Sequence, residues 1–336
     1  MLVNQSLANL SDTCYKTAVL VYVLGLVLSL ITYIKEANVK SKMLAAVEAE
    51  VETQGDSAVA TKRGGGEAEA GTDAIDSVLA KKDASAKKFS GMTQSIIWLG
   101  VIIQAISVVT RGMSVHRFPW GNLYEYINVV SLVAMIVAAL VLYNRTRRVL
   151  WPWVLTPILA LMFYGGMKLY LAAGDVVPSL KSFWFPIHVS AAAIGGGIGM
   201  ISGIASVLFL IRSYQPKGKE HGFWGKVALP LPDIKALDSL AYRSAVLTLP
   251  IFGLGIMFGA IWAESAWGRF WNWDPKEVMS FVTWVLYAGY LHARATSGWK
   301  NNRAAIINIL ALAAMVFNLF FINLLFPGMH SYAGVS

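Results

Sequence analysis

The chain of 336 residues is poor in charge and nearly without cysteine. Asp, Glu, Lys and Arg make up 14% of it, against about 25% in ordinary soluble domains, while 56% is hydrophobic and the mean hydropathy is +0.56. That balance excludes a soluble globular protein. Cys14 is the single cysteine. No disulfide can therefore close within one chain, and neither a Cys-x-x-Cys redox or zinc site nor a Cys-x-x-Cys-His haem-attachment sequence exists. The protein is not itself a c-type cytochrome. The first apolar run lacks a basic lead-in and an Ala-x-Ala-like cleavage site, which predicts a retained anchor rather than a cleaved signal. The net charge of +9 comes from short basic clusters set between apolar runs. That is the pattern of membrane topology signals and not of a nucleic-acid partner.

A membrane helix needs about 20 mostly apolar residues. About eight such runs are present, near 17–34, 92–110, 124–143, 150–171, 186–211, 244–263, 277–293 and 304–326. Arg145, Arg147 and Arg148 follow the third run, Arg212, Lys217 and Lys219 the fifth, and Arg294, Lys300 and Arg303 the seventh. This predicts cytoplasmic placement of those three connections and both termini outside. The expected fold is all-α and polytopic. It divides into an N-terminal anchor over 1–34, an insert over 35–90 and a transmembrane domain over 91–336. The insert is rich in Ala, Glu, Lys and Gly, with too little apolar content for a core, and is expected to be a disordered cytoplasmic segment. Gly195, Gly199 and Gly203 recur every fourth residue in the fifth run and predict close helix packing.

The outer connection from Trp262 to Glu277 carries Trp262, Trp267, Trp271 and Trp273, four of the chain's 12 tryptophans. Interfacial aromatic belts also use tryptophan, but spread over many helix ends. Here the spacing is dense, and Gly268 beside Trp267 frees the backbone for a turn. Asp274, Pro275 and Glu277 predict an N-cap, a first helical position and a capping box that start the seventh span. A rigidly held set of indoles suits a large planar ligand; spacing alone leaves this open against the belt. His188, one turn into the fifth span, and His330, in the tail Phe326–Tyr332, reach the same side as the tryptophans. Two neutral imidazoles are a common axial pair for a b-type haem, and Lys276 and Arg269 would suit its propionates. His292 lies some 15 residues after Glu277, so it is roughly 22 Å deeper along the same helix. An ionisable group there points to function, yet a site with two histidines at that depth needs a ligand from another chain. His221 reads as solvated, and His116 has no assigned role.

The run Trp267-Gly268-x-x-Trp271-x-Trp273-Asp274-Pro275-Lys276-Glu277 resembles the tryptophan-rich (WWD) signature of haem-handling proteins, in the CcsA/ResC branch that some bacteria name CcsB. Further stretches are similar to family blocks in the same order: Pro119 to Glu125, Trp184 to Val189, Asp238 to Arg243, His292, and Gly328 to Tyr332. The resemblance covers about residues 92–336. It implies transport of haem b and its covalent attachment to apocytochrome c, together with a ResB/CcsB-type membrane partner and thiol-reducing proteins. It also implies that His188 and His330 ligate an outer haem iron, and that Trp267, Gly268, Trp271, Trp273 and Asp274 form its platform. His292 would ligate an inner haem whose second ligand comes from the partner. The implied setting is a bacterial plasma membrane, with the haem loop on the extracytoplasmic side. The 35–90 insert departs from the compact family pattern. A haem exporter that hands its cargo to a separate ligase needs the same residues and is the alternative. A quinol-oxidising b-type cytochrome would need paired deep histidines, and only His292 is available.

Overall fold

The computed structural model describes residues 3–57, 65–296, 302–322 and 329. Among these the chain is helical and has no strand. In order come α1 (Gln5–Ser57), α2 (Gly65–Val115), α3 (Leu123–Val141), the single turn α4 (Arg145–Arg148), α5 (Trp151–Lys168), α6 (Trp184–Tyr214), the short α7 (Gly222–Ala228), α8 (Ile234–Trp267), α9 (Pro275–Ala295) and α10 (Asn302–Phe317). A π-helical turn, Asn318–Ile322, continues α10. Six segments are long and apolar enough to cross a membrane, within α1, α2, α3, α6 and α8 and over α10 with its π turn. The protein is a polytopic helical membrane protein. The other two expected runs are helical but less apolar. Pro152 and Pro157 lie in α5, and α9 begins with Lys276 and Glu277 and ends with His292 and Arg294.

The segment expected to be disordered differs from that expectation: α1 continues to Ser57 and α2 begins at Gly65. Beyond residue 34 the two helices touch, with Lys35 Nζ donating to Ser85 Oγ at 3.0 Å and lying over the Phe89 ring at 4.8 Å. Arg145 then pairs with both Glu36 and Asp83. An Ala-, Glu- and Lys-rich stretch cannot build a core, but its residues are strong helix formers. Continued from two packed spans, it needs no new nucleus. Tyr33 donates to the Val227 carbonyl and Lys40 to the Pro230 carbonyl at 3.0 Å, so this hairpin leans on α7 and the turn after it.

In the bundle centre the predicted small-residue seam of α6 lets α8 and α10 approach closely. A Cβ on Gly195 would meet Phe252 of α8 at 2.8 Å, and one on Gly203 would meet Leu312 of α10 at 2.6 Å. The N-terminal end of α3 is organised by Glu125, whose side chain is fully buried. It accepts from Arg111 Nε at 2.9 Å, Arg117 Nη1 at 2.8 Å and the Gly121 backbone N–H at 2.7 Å. Asn122 caps α3 by accepting from the Glu125 N–H. A carboxylate buried this deeply is tolerated because two guanidinium groups and a backbone donor surround it. The loop carrying Trp120, Gly121 and Asn122 is thereby held against the bundle.

Candidate functional site

Helices α3, α5, α6, α8, α9 and α10 enclose a cavity of about 780 Å³. Its wall is mostly apolar and aromatic, including Trp120, Tyr126, Tyr164, Phe252 and Trp271, with His188, Lys276, Ser280 and Asn318 among its few polar groups. That size and make-up suit a largely apolar organic ligand with a small number of polar anchors.

His188 stands on the cavity wall from the second turn of α6. Its Nδ1 lies 2.8 Å from the Gly255 carbonyl oxygen of α8, and its ring stacks on Trp262 at 5.8 Å and 8° between planes. With Nδ1 as the donor, the lone pair is on Nε2, the tautomer an imidazole needs to bind a metal. Two glycines make this possible. Gly255 packs against the α6 backbone at Ala192, and a Cβ on Gly259 would stand 2.7 Å from His188 Cε1. Trp262 is fixed in turn by its indole N–H, which donates to the Ser179 carbonyl at 2.9 Å.

The tryptophan-rich connection is shorter than its sequence suggests, because α8 runs through Trp267. Gly268 ends it at φ 68°, as a left-handed cap whose N–H bonds the Glu264 carbonyl at 2.8 Å. The predicted turn at Gly268 is present, since this region costs glycine nothing. Trp267 packs edge-on against Trp262 at 4.7 Å between centroids, with Arg269 5.3 Å from its ring. Trp271 lines the cavity; Trp273 meets it edge-on at 5.9 Å but is 72% exposed, with an unusual positive φ of 56°. The capping box is formed as predicted, with Asp274 accepting from Lys276 N at 3.1 Å. Its other half does more than cap: Glu277 Oε2 accepts from Asn272 N at 2.9 Å and Asp274 N at 3.1 Å, while Oε1 pairs with Arg269 at 3.1 Å. One carboxylate thus gathers the loop onto the first turn of α9. Arg269 Nη2 has no hydrogen-bond partner among the described residues.

His292 is exposed near the far end of α9 and is not part of the cavity wall. His330 lies outside the described residues. Its neighbour Met329 donates its N–H to Asp274 Oδ2 at 2.8 Å, tying that part of the tail to the tryptophan loop. His116 and His221 are both exposed. Sequence reasoning passed over Gly255, Gly259 and Asn318. The first two were legible as small residues four apart in an apolar run, the same signal read on α6.

Residues 120–330 match the profile of the family described as cytochrome C assembly protein. A CcsA cytochrome c biogenesis protein of Guillardia theta is 31% identical over 250 residues, covering 70% of this chain and 83% of the relative. The chain belongs to the CcsA family of cytochrome c biogenesis proteins. CcsA proteins of Chlamydomonas reinhardtii, 32% identical over 244 residues, and Prochlorococcus marinus, 29% over 267, agree. These cover 70% and 72% of this chain, and 67% and 84% of the respective relatives. The fold resembles a solved structure of a cytochrome c haem lyase, CcmF, with a TM-score of 0.60 at 15% identity. That match covers 95% of this chain and 47% of the larger one. The match to the cytochrome C assembly family starts at Trp120 and so takes in the cavity, His188 and the whole tryptophan loop; all of α1 and α2 precedes it.

Proposed function

We propose that the cavity holds haem b for covalent attachment to apocytochrome c. In this reading the chain works with a ResB/CcsB-type membrane partner and thiol-reducing proteins. The observation that carries the reading is His188: an imidazole on the wall of a large aromatic cavity, oriented through Nδ1 by a backbone carbonyl and clamped between Gly259 and Trp262. Such outer support fixes ring and tautomer in metal-ligating histidines generally. His330 supplies the second axial nitrogen, a role supported by the bond from its neighbour Met329 to Asp274. Trp271 gives the macrocycle an aromatic wall; Trp267, Gly268, Trp273 and Asp274 shape and hold the loop around it. Lys276 and Arg269 are the nearby cations for propionates.

Attachment adds each client thiol S–H across a haem vinyl C=C, so no atom is lost and the only chemical demands are reduced thiols and ferrous iron. The chain then contributes position, holding vinyl and thiol together so that the encounter becomes intramolecular. His292, exposed near the opposite end of α9, ligates an inner haem on the entry route, with the partner supplying the other ligand. The accompanying topology has eight spans, including α5 and α9, both termini outside and the tryptophan loop on the extracytoplasmic side of a bacterial plasma membrane. The basic connections after α3, α6 and α9 support it. The test is reconstitution: the purified complex given haem, reductant and apocytochrome should form holocytochrome and show a low-spin haem spectrum. A haem spectrum with delivery only to a separate ligase would favour the exporter instead.

A further inference from the structure

One wall of the cavity differs from the rest. Lys276 and Ser280, four residues apart on α9, present to the same face, and Asn318, at the start of the π-helical turn, stands beside them; all three line the cavity. Asn318 Nδ2 lies 2.9 Å from Ser280 Oγ, and the residue is only 8% exposed. The opposite end of its amide, Oδ1, is buried with no hydrogen-bond partner among the described residues. An amide buried in an apolar membrane bundle with half its capacity unmet is costly, and π-helical turns recur at functional positions. The two ends of an asparagine amide are assigned from the network around them. Either assignment keeps the bond to Ser280. With the amide reversed, Ser280 O–H donates to Oδ1 and the NH₂ group is left to donate to a ligand.

We infer that Asn318 and Ser280, next to Lys276, form a carboxylate-binding pole of the cavity that orients an amphiphilic planar ligand. This rests on the haem reading above and extends it. A propionate at this pole gains the amide and ammonium donors together, with the Ser280 hydroxyl holding the amide in the donating orientation, and Glu277 on the same wall is already committed to Arg269 and two backbone N–H groups. The propionate edge is then fixed, and the vinyl edge is turned away from α9 and α10.

The test compares haem with haem dimethyl ester, whose propionates are masked, by absorption titration of the purified full-length chain and its variants. Asn318→Leu should weaken haem binding roughly tenfold, the scale of a hydrogen bond to a charged group, and should leave the diester almost unaffected. Ser280→Ala should show the same selectivity with a smaller loss, and it decides the question alone if Asn318→Leu does not fold. Equal losses for both ligands, or none for either, would overturn the carboxylate pole while the haem reading stands. A wild-type chain that binds neither ligand refutes both.

Discussion

Gly259→Ala is a sharp probe of the site because the added methyl has one place to go. Its Cβ would lie 2.7 Å from His188 Cε1 and 2.8 Å from Nδ1. Carbon contacts settle near 3.5 Å, so the imidazole must move by about 0.8 Å or α8 must shift away from α6. Ring positions in a working site tolerate about 0.5 Å, and the 2.8 Å bond from Nδ1 to the Gly255 carbonyl ties the ring to the same helix that carries the new methyl. The global cost is small by comparison. Overpacking costs about 1–3 kcal/mol, and replacing a mid-helix glycine by alanine returns about 1 kcal/mol. The net change is therefore about 0–2 kcal/mol, not enough to explain loss of ligand by unfolding. Haem affinity is expected to fall at least roughly tenfold, with an altered axial-ligand spectrum and a melting temperature within several degrees of wild type. Absorption titration and thermal melting followed by circular dichroism measure the two separately. Gly91→Ala on α2 is the control, because a Cβ there meets nothing within 4 Å; it should change neither spectrum nor affinity. A Gly259→Ala protein with wild-type spectrum and affinity would refute the placement of haem against His188.

Three further outcomes follow from the geometry. His188→Ala should abolish the outer haem spectrum and cytochrome maturation without loss of membrane insertion, and added imidazole should restore part of both; normal maturation without imidazole contradicts axial ligation. Glu277→Gln keeps the size of the side chain but weakens three contacts to Arg269, Asn272 and Asp274, so the loop should become more sensitive to protease at a cost of about 1–3 kcal/mol, with helical content retained. His292→Ala should lower haem content in the complex with the partner while leaving the outer site of the isolated chain able to bind added haem; full haem content and normal maturation in the complex would remove His292 from the entry route.

What the linear chain settled was everything that depends on short-range pattern. Apolar runs of membrane length predict helices because a backbone in lipid must satisfy its own hydrogen bonds; all eight predicted runs contain helix, although only six segments meet the length and hydropathy of a span. The capping box at Asp274 and Glu277 and the turn at Gly268 are local chemistry and were legible residue by residue. The tertiary structure alone decided what meets across the bundle. His188 becomes a cavity residue because Gly255 and Gly259, neither with a side chain, let α6 and α8 close around the ring. Its bond to the Gly255 carbonyl joins residues 67 positions apart, a pairing that no periodicity encodes. The same holds for Asn318, unremarkable in an apolar run until the π turn sets it against Ser280. The 35–90 segment shows the reverse error. Its composition predicted disorder, but helices continued from two neighbouring spans need no new nucleus, and the contacts of Lys35 with Ser85 and of Arg145 with Glu36 and Asp83 show the two helices side by side beyond residue 34.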